Sequence, residues 1–192
     1  MKTFETELSG VLLIEFDVHR DSRGYFFETY HKSFFDDLGL TVPFVQDSLS
    51  YSEGPVVRGL HFQEPFAQGK LVSAIHGTIY DVAVDIRPAS PNFKKWIGIR
   101  LSSETCRMLW IPPGFAHGFA TLTESAGVFY KFTEYWHPEA EHALNGLTVF
   151  RIEVQQMWRQ GAPEQQCAGS VAAMTFITHV QSALNDGFQL NT

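Results

Sequence analysis

Ile79-Tyr80-Asp81-Val82-Ala83-Val84-Asp85-Ile86 alternates with a period of two, so Tyr80, Val82, Val84 and Ile86 share one face of a strand and Asp81, Ala83 and Asp85 the other. One face is expected to be core, and the other to face water or a polar cavity. His76-Gly77, just before it, predicts a tight hairpin turn. Outward from this segment, strands are expected near Val11 to Phe16, Gly24 to Tyr30, Val56 to Gln63, Lys70 to His76, Trp96 to Leu101, Arg107 to Ile111, Gly118 to Leu122 and Gly127 to Trp136. Ser33-Phe34-Phe35-Asp36-Asp37-Leu38-Gly39 predicts a short helix ended by its glycine. Many short strands at this spacing indicate an all-β sandwich or barrel. A jelly roll whose interior holds a ligand fits the two-sided strand.

The chain has 192 residues, enough for one domain with a real core. No run approaches the roughly 20 apolar residues of a membrane span. Met1-Lys2-Thr3-Phe4-Glu5-Thr6-Glu7 carries acids where a signal peptide needs a basic start, so a cytoplasmic protein is expected, with no membrane partner. Cys106 and Cys167 have no metal-type spacing and suggest no disulfide framework. The net charge of −7 argues against nonspecific nucleic-acid binding. An anionic small substrate is compatible with it, with Arg23, Arg58 and Lys70 as local cations.

Two segments carry chemistry. Arg58-Gly59-Leu60-His61-Phe62-Gln63 and Ala67-Gln68-Gly69-Lys70-Leu71-Val72 bring an anion clamp, a proton acceptor and a cation onto neighbouring strands. Strict alternation would set Arg58 and His61 on opposite faces, but Gly59 permits a bulge that re-aims one of them. Further on, Trp110-Ile111-Pro112-Pro113-Gly114-Phe115-Ala116-His117-Gly118-Phe119 and Tyr130-Lys131 add a second imidazole and a phenol. By themselves these residues have ordinary structural readings: a hydrogen-bonded strand histidine, a strand-end lysine, a core tyrosine.

In order and wording these segments resemble the nucleotide-sugar 3,5-epimerase family that acts on dTDP-4-keto-6-deoxyglucose in rhamnose biosynthesis. The motif resemblance runs from about Gly10 to Glu141. It implies a cupin-type jelly roll with a few short helices, a homodimer, a dTDP-sugar substrate and no cofactor or metal. It also implies roles: His61 as base, Tyr130 as acid, Lys70 as partner of the enolate oxygen, and His117 in the same pocket. Arg23 and Glu28 in Arg23-Gly24-Tyr25-Phe26-Phe27-Glu28 resemble nucleotide contacts, and Arg58 joins them as a substrate cation. Gln46-Asp47-Ser48 matches a Gln-Asp-Asn motif except at Ser48. Trp136 stands where the family usually has a thymine-stacking tyrosine, and Glu141 closes the set of substrate contacts. If strand pairing is regular, Tyr130, Phe132, Glu134 and Trp136 share a face.

Residues 1–141 are thus expected to form the cupin-like domain, and 142–192 a divergent tail, part of that domain or poorly ordered. After Glu141 lysine is absent and glutamine common. A helix over Val171 to Leu184 and a loop from Gly161 to Gly169 are expected there. The family's C-terminal aspartate, which bonds the base, has no motif-matched counterpart. Asp186 sits in an unrelated Asn185-Asp186-Gly187 context, so the partner of His61 stays unassigned. Two alternatives stand beside the epimerase. Pro112-Pro113-Gly114-Phe115-Ala116-His117 fits half of a metal-cupin pattern, whose other half, His-x-His, is here His61-Phe62-Gln63. The second alternative is an impaired nucleotide-sugar binder.

Overall fold

The structure is a computed structural model and describes residues 1–144. The helix expected over Val171 to Leu184 and the loop from Gly161 to Gly169 lie outside the described residues. In chain order, β1 (Lys2–Glu5) and β2 (Leu12–Glu15) precede a hairpin of β3 (His19–Asp21) and β4 (Gly24–Phe26). The helix α1 (Lys32–Asp37) follows, then β5 (Gln46–Glu53), β6 (Val57–Gln63), β7 (Lys70–His76), β8 (Thr78–Asp85) and β9 (Trp96–Ser102). The series closes with β10 (Arg107–Ile111), β11 (Phe115–Thr121), β12 (Ser125–Phe132), a 3-10 turn at Pro138–Ala140 and β13 (Glu141–Ala143).

Two antiparallel sheets carry the fold. One runs β1-β2-β10-β7-β12-β5 and the other β13-β6-β11-β8-β9. Period-two patterning explains how they meet. On β7, Val72 and Ala74 enter the central core while Leu71 turns to the opposite side; on β10, Leu109 and Ile111 go in while Met108 and Trp110 go out. Ile79, Ala83, Leu101, Phe115 and Phe119 meet them from the second sheet. The outward set packs instead with Phe16, Phe35 and partly buried Phe44, beneath the α1 segment.

The helix ends as its glycine predicts. Gly39 has φ +76, its N–H donates to Asp36 O, and Leu40 N–H reaches back to Phe35 O at 2.8 Å, a Schellman pattern.

Four expectations need correction. His76-Gly77 is no hairpin, because β7 and β8 belong to different sheets and the chain turns a corner between them. A Cβ on Gly77 (φ +66) would meet Ser125 O at 2.2 Å, which explains why the corner takes glycine. Both faces of β8 are buried, and Ile79, Asp81, Ala83 and Asp85 form the inward one, with no face left to water. The strands expected to reach Tyr30 and Trp136 end at Phe26 and Phe132. Strands β1, β3, β5 and β13 were not expected from the sequence.

Candidate active site

Between the two sheets lies a cleft of about 740 Å³, lined from both walls. The six-stranded sheet contributes Gln46 and Ser48 from β5, Lys70 from β7, and Tyr130 and Phe132 from β12. The five-stranded sheet contributes Arg58 and His61 from β6, His117 from β11, and Glu141 from β13. Lys70 points inward because it is in phase with Val72 and Ala74, and Tyr130 because it is in phase with Val128.

β6 reaches the cleft through a bulge. His61 lies opposite His117 and Arg58 opposite Phe119, so three steps on β6 match two on β11. The extra residue lets Arg58 and His61 both face inward, the re-aiming that Gly59 permits. Gly59 (φ +102) and Gly118 lie face to face. A Cβ on Gly59 would stand 2.6 Å from His117 O, and one on Gly118 would stand 2.4 Å from Arg58 O.

Burial and pairing differ sharply among these side chains. Lys70 is only 7% exposed, and burial lowers its ammonium to about 8 against the pull of Glu141 and Asp81. Its Nζ donates to His61 O at 3.4 Å. Burial pushes the Tyr130 phenol above its ordinary range, while the hydroxyl of Ser50, 3.1 Å from the phenol oxygen, acts the other way. That phenol is a neutral donor at neutral pH. Arg58 is pinned by Nε donating to Ser52 Oγ (3.0 Å) and by a terminal nitrogen donating to Tyr51 O (3.2 Å).

His117 is held from behind by Asp81. Its Nε2 lies 3.0 and 3.1 Å from the two carboxylate oxygens, and Asp81 is 0% exposed. A carboxylate can only accept, so Nε2 carries a proton. His61, by contrast, is 47% exposed in its side chain, with Nδ1 3.1 Å from Glu141 Oε1. Trp136 sits at the mouth, 56% exposed. Its backbone N–H donates to Gln46 Oε1 (2.9 Å) and its indole N–H to Glu141 Oε2 (3.0 Å). Buried Gln63 fixes the loop that carries Trp136, donating to Phe66 O and Tyr135 O and accepting from His137 N–H.

Of the residues expected from sequence, His61, Lys70, Tyr130, His117, Arg58, Gln46, Ser48, Trp136 and Glu141 come together here. Asp47 does not line the cleft, and its carboxylate pairs with Lys131 at 2.8 Å. Arg23 and Glu28 do not line it either. Arg23 is exposed in the β3–β4 turn, paired with Asp21 at 2.7 Å, and Glu28 is exposed beyond β4. Sequence reasoning missed Asp81 and Ser50. An acid inside an apolar strand is a signal for Asp81, since a buried carboxylate requires a partner. The Ser48-Leu49-Ser50-Tyr51-Ser52 alternation is a weaker signal for Ser50. Among the described residues, no group of three or more His, Cys, Asp or Glu is placed to hold a metal ion.

Two antiparallel sheets enclosing one cleft that holds a phenol, two imidazoles and a buried ammonium define a cupin-type jelly roll. The profile of the dTDP-4-dehydrorhamnose 3,5-epimerase family matches residues 5–160, past Glu141 where the motif resemblance closes. The dTDP-4-dehydrorhamnose 3,5-epimerase of Escherichia coli is 50% identical over 143 residues, 73% of this chain and 77% of that one. The dTDP-6-deoxy-D-glucose-3,5-epimerase of Legionella pneumophila, solved in complex with dTDP-4-keto-L-rhamnose, superposes with a TM-score of 0.73 at 45% identity, over 74% of this chain and 77% of the other. The Bacillus anthracis dTDP-4-dehydrorhamnose 3,5-epimerase, solved with TDP and PPi bound, gives 0.73 at 46% identity over 74% and 83%. The chain belongs to the dTDP-4-dehydrorhamnose 3,5-epimerase family of isomerases.

Proposed function

We propose that this protein epimerises dTDP-4-keto-6-deoxy-D-glucose at C3, C5 or both, through an enolate, toward the L-sugar of dTDP-rhamnose biosynthesis. The observation that carries this reading is the placement of His61 and Tyr130 on opposite walls of one cleft, with the Lys70 ammonium buried in it. Inversion at carbon needs a base on one face and an acid on the other.

His61 takes the proton from the carbon beside the ketone. The C–H electron pair becomes the enolate double bond, and the negative charge on oxygen is met by Lys70, whose low-dielectric setting strengthens the contact. Tyr130 then gives its proton to the same carbon from the far wall and the ketone is restored. Exchange with water returns the imidazole and the phenolate to their starting forms. Trp136 stacks on the thymine ring and Arg58 meets the sugar diphosphate. His117, Gln46, Ser48 and Glu141 are further substrate contacts in this reading, while Arg23, Glu28 and Asp47 keep that role by resemblance alone. A homodimer in the cytoplasm belongs to the same proposal. The exposed Leu49, Tyr51 and Ile75 on the outer face of the six-stranded sheet support a dimer contact.

The test is deuterium wash-in at C3 and C5 of the substrate in heavy water. His61→Ala is expected to abolish it while nucleotide-sugar affinity stays within about tenfold. Wash-in at the wild-type rate in the folded mutant rules the assignment out.

A further inference from the structure

Glu141 touches two groups that belong to different ends of the cleft. Oε1 is 3.1 Å from His61 Nδ1, and Oε2 accepts the Trp136 indole N–H at 3.0 Å. Strand pairing sets up the first contact. β13 runs antiparallel to β6, with Glu141 opposite Gln63 and Ala143 opposite His61, so Glu141 and His61 are diagonal neighbours on one face. The second contact depends on the loop after β12. It is pinned by Gln63 and by Gln46, and it delivers an indole whose N–H is a donor and nothing else.

We propose that Glu141 is the positioning residue for His61, and that Trp136 holds Glu141 in that role. The nucleotide-stacking ring and the base then share one carboxylate. This rests on the epimerase reading above. It gives Glu141 a task beyond substrate contact and fills the place of the base's acidic partner, which no motif identifies. With one oxygen tied to the indole, the other stands 3.1 Å from His61 Nδ1, and a small turn of the half-exposed ring lets it accept the Nδ1–H. The neutral ring is thereby held in the tautomer whose Nε2 lone pair is free for the α-proton. Trp136 supplies what a phenylalanine cannot. The aromatic face is common to both residues, but only the indole also anchors the acid.

The experiment combines side-chain nitrogen NMR of the histidine-labelled free protein with steady-state kinetics, using Glu141→Ala, Glu141→Gln and Trp136→Phe. His61→Ala identifies the ring signals. In the wild type the neutral His61 ring is expected to carry its proton on Nδ1. In Glu141→Ala the Nε2–H form should appear, and kcat should fall about 10- to 100-fold, the scale on which the partner of a functional imidazole matters. KM is free to rise with the lost substrate contact, so the positioning role is read from kcat and the ring tautomer. Glu141→Gln keeps the shape but offers one acceptor oxygen to two donors, so it should restore the tautomer and the rate only in part, and that intermediate result separates positioning from misfolding. Trp136→Phe should lower kcat while dTDP affinity holds. An unchanged ring tautomer in Glu141→Ala overturns the proposal. A rise in KM at unchanged kcat also overturns it, because Glu141 is then a substrate contact only. Absence of wash-in by the wild type would instead sink the epimerase reading, and the NMR arm still decides the pairing.

Discussion

Asp81 and His117 are a carboxylate–imidazole pair sealed into the wall behind the cleft, neither side chain more than 5% exposed. Such a pair is asymmetric in its energetics. Both partners present, the charge and the ring nitrogen satisfy each other, but removal of one strands the other without water. Asp81→Ala should therefore cost roughly 3–5 kcal/mol of stability, read as a denaturant midpoint shift without change in slope. Asp81→Asn, which keeps an acceptor oxygen, should cost clearly less. Equal losses in the two variants would show that volume rather than pairing matters at this position.

Lys70 titrates near 8 in the folded chain against 10.5 ordinarily. Below about pH 8 both folded and unfolded chains hold the proton, and the folded one carries the full cost of burying it. Between those values the folded chain has released a proton that the unfolded chain keeps, so this cost lifts as pH rises. Lys70→Met should thus melt higher than the wild type at pH 7 while losing wash-in. In the wild type, kcat/KM should fall as pH rises through about 8, since the free enzyme loses the ammonium that meets the enolate. A rate that stays level to about pH 10 removes Lys70 from that role.

Tyr130→Phe should separate proton removal from proton return. The phenol acts after the enolate forms, so exchange is expected to survive by return from the His61 wall while epimer yield drops steeply. A normal epimer yield assigns the acid elsewhere.

Trp136 should report the nucleotide. Its fluorescence is expected to change on adding dTDP, and Trp136→Ala should weaken dTDP binding by roughly 1–3 kcal/mol, the scale of base–aromatic stacking. Unaltered affinity would mean that the indole serves only Glu141.

Strands with apolar alternation were legible in the chain, and Lys70 to His76 and Arg107 to Ile111 fall where the pattern sets them. β5 was not legible. Its inward side is Gln46, Ser48, Ser50 and Ser52, polar because it walls a cleft, so the apolar half of the alternation is missing. The Gly77 corner looks like a hairpin turn because a glycine at positive φ serves either, and only sheet membership separates the two. Within the site, the bulge at Gly59 and the residues near it in sequence were readable. The pairings Asp81 with His117 and Glu141 with His61 were not, since each joins residues far apart along the chain through strand register.

The face-to-face glycines at 59 and 118 divide the cleft into a part that can drift and a part that cannot. A methyl on either one runs into the other strand's backbone, so neither position has a neutral neighbour in sequence space, and no compensating change on a side chain relieves a clash with a main-chain atom. Those two residues also set the spacing between the two histidines that flank them. Any route by which this cleft acquires a different sugar must therefore leave the histidine wall untouched and proceed at the rim, through Gln46, Ser48 and the loop that carries Trp136. Random libraries selected for new substrates should come back with substitutions at the rim and none at either glycine.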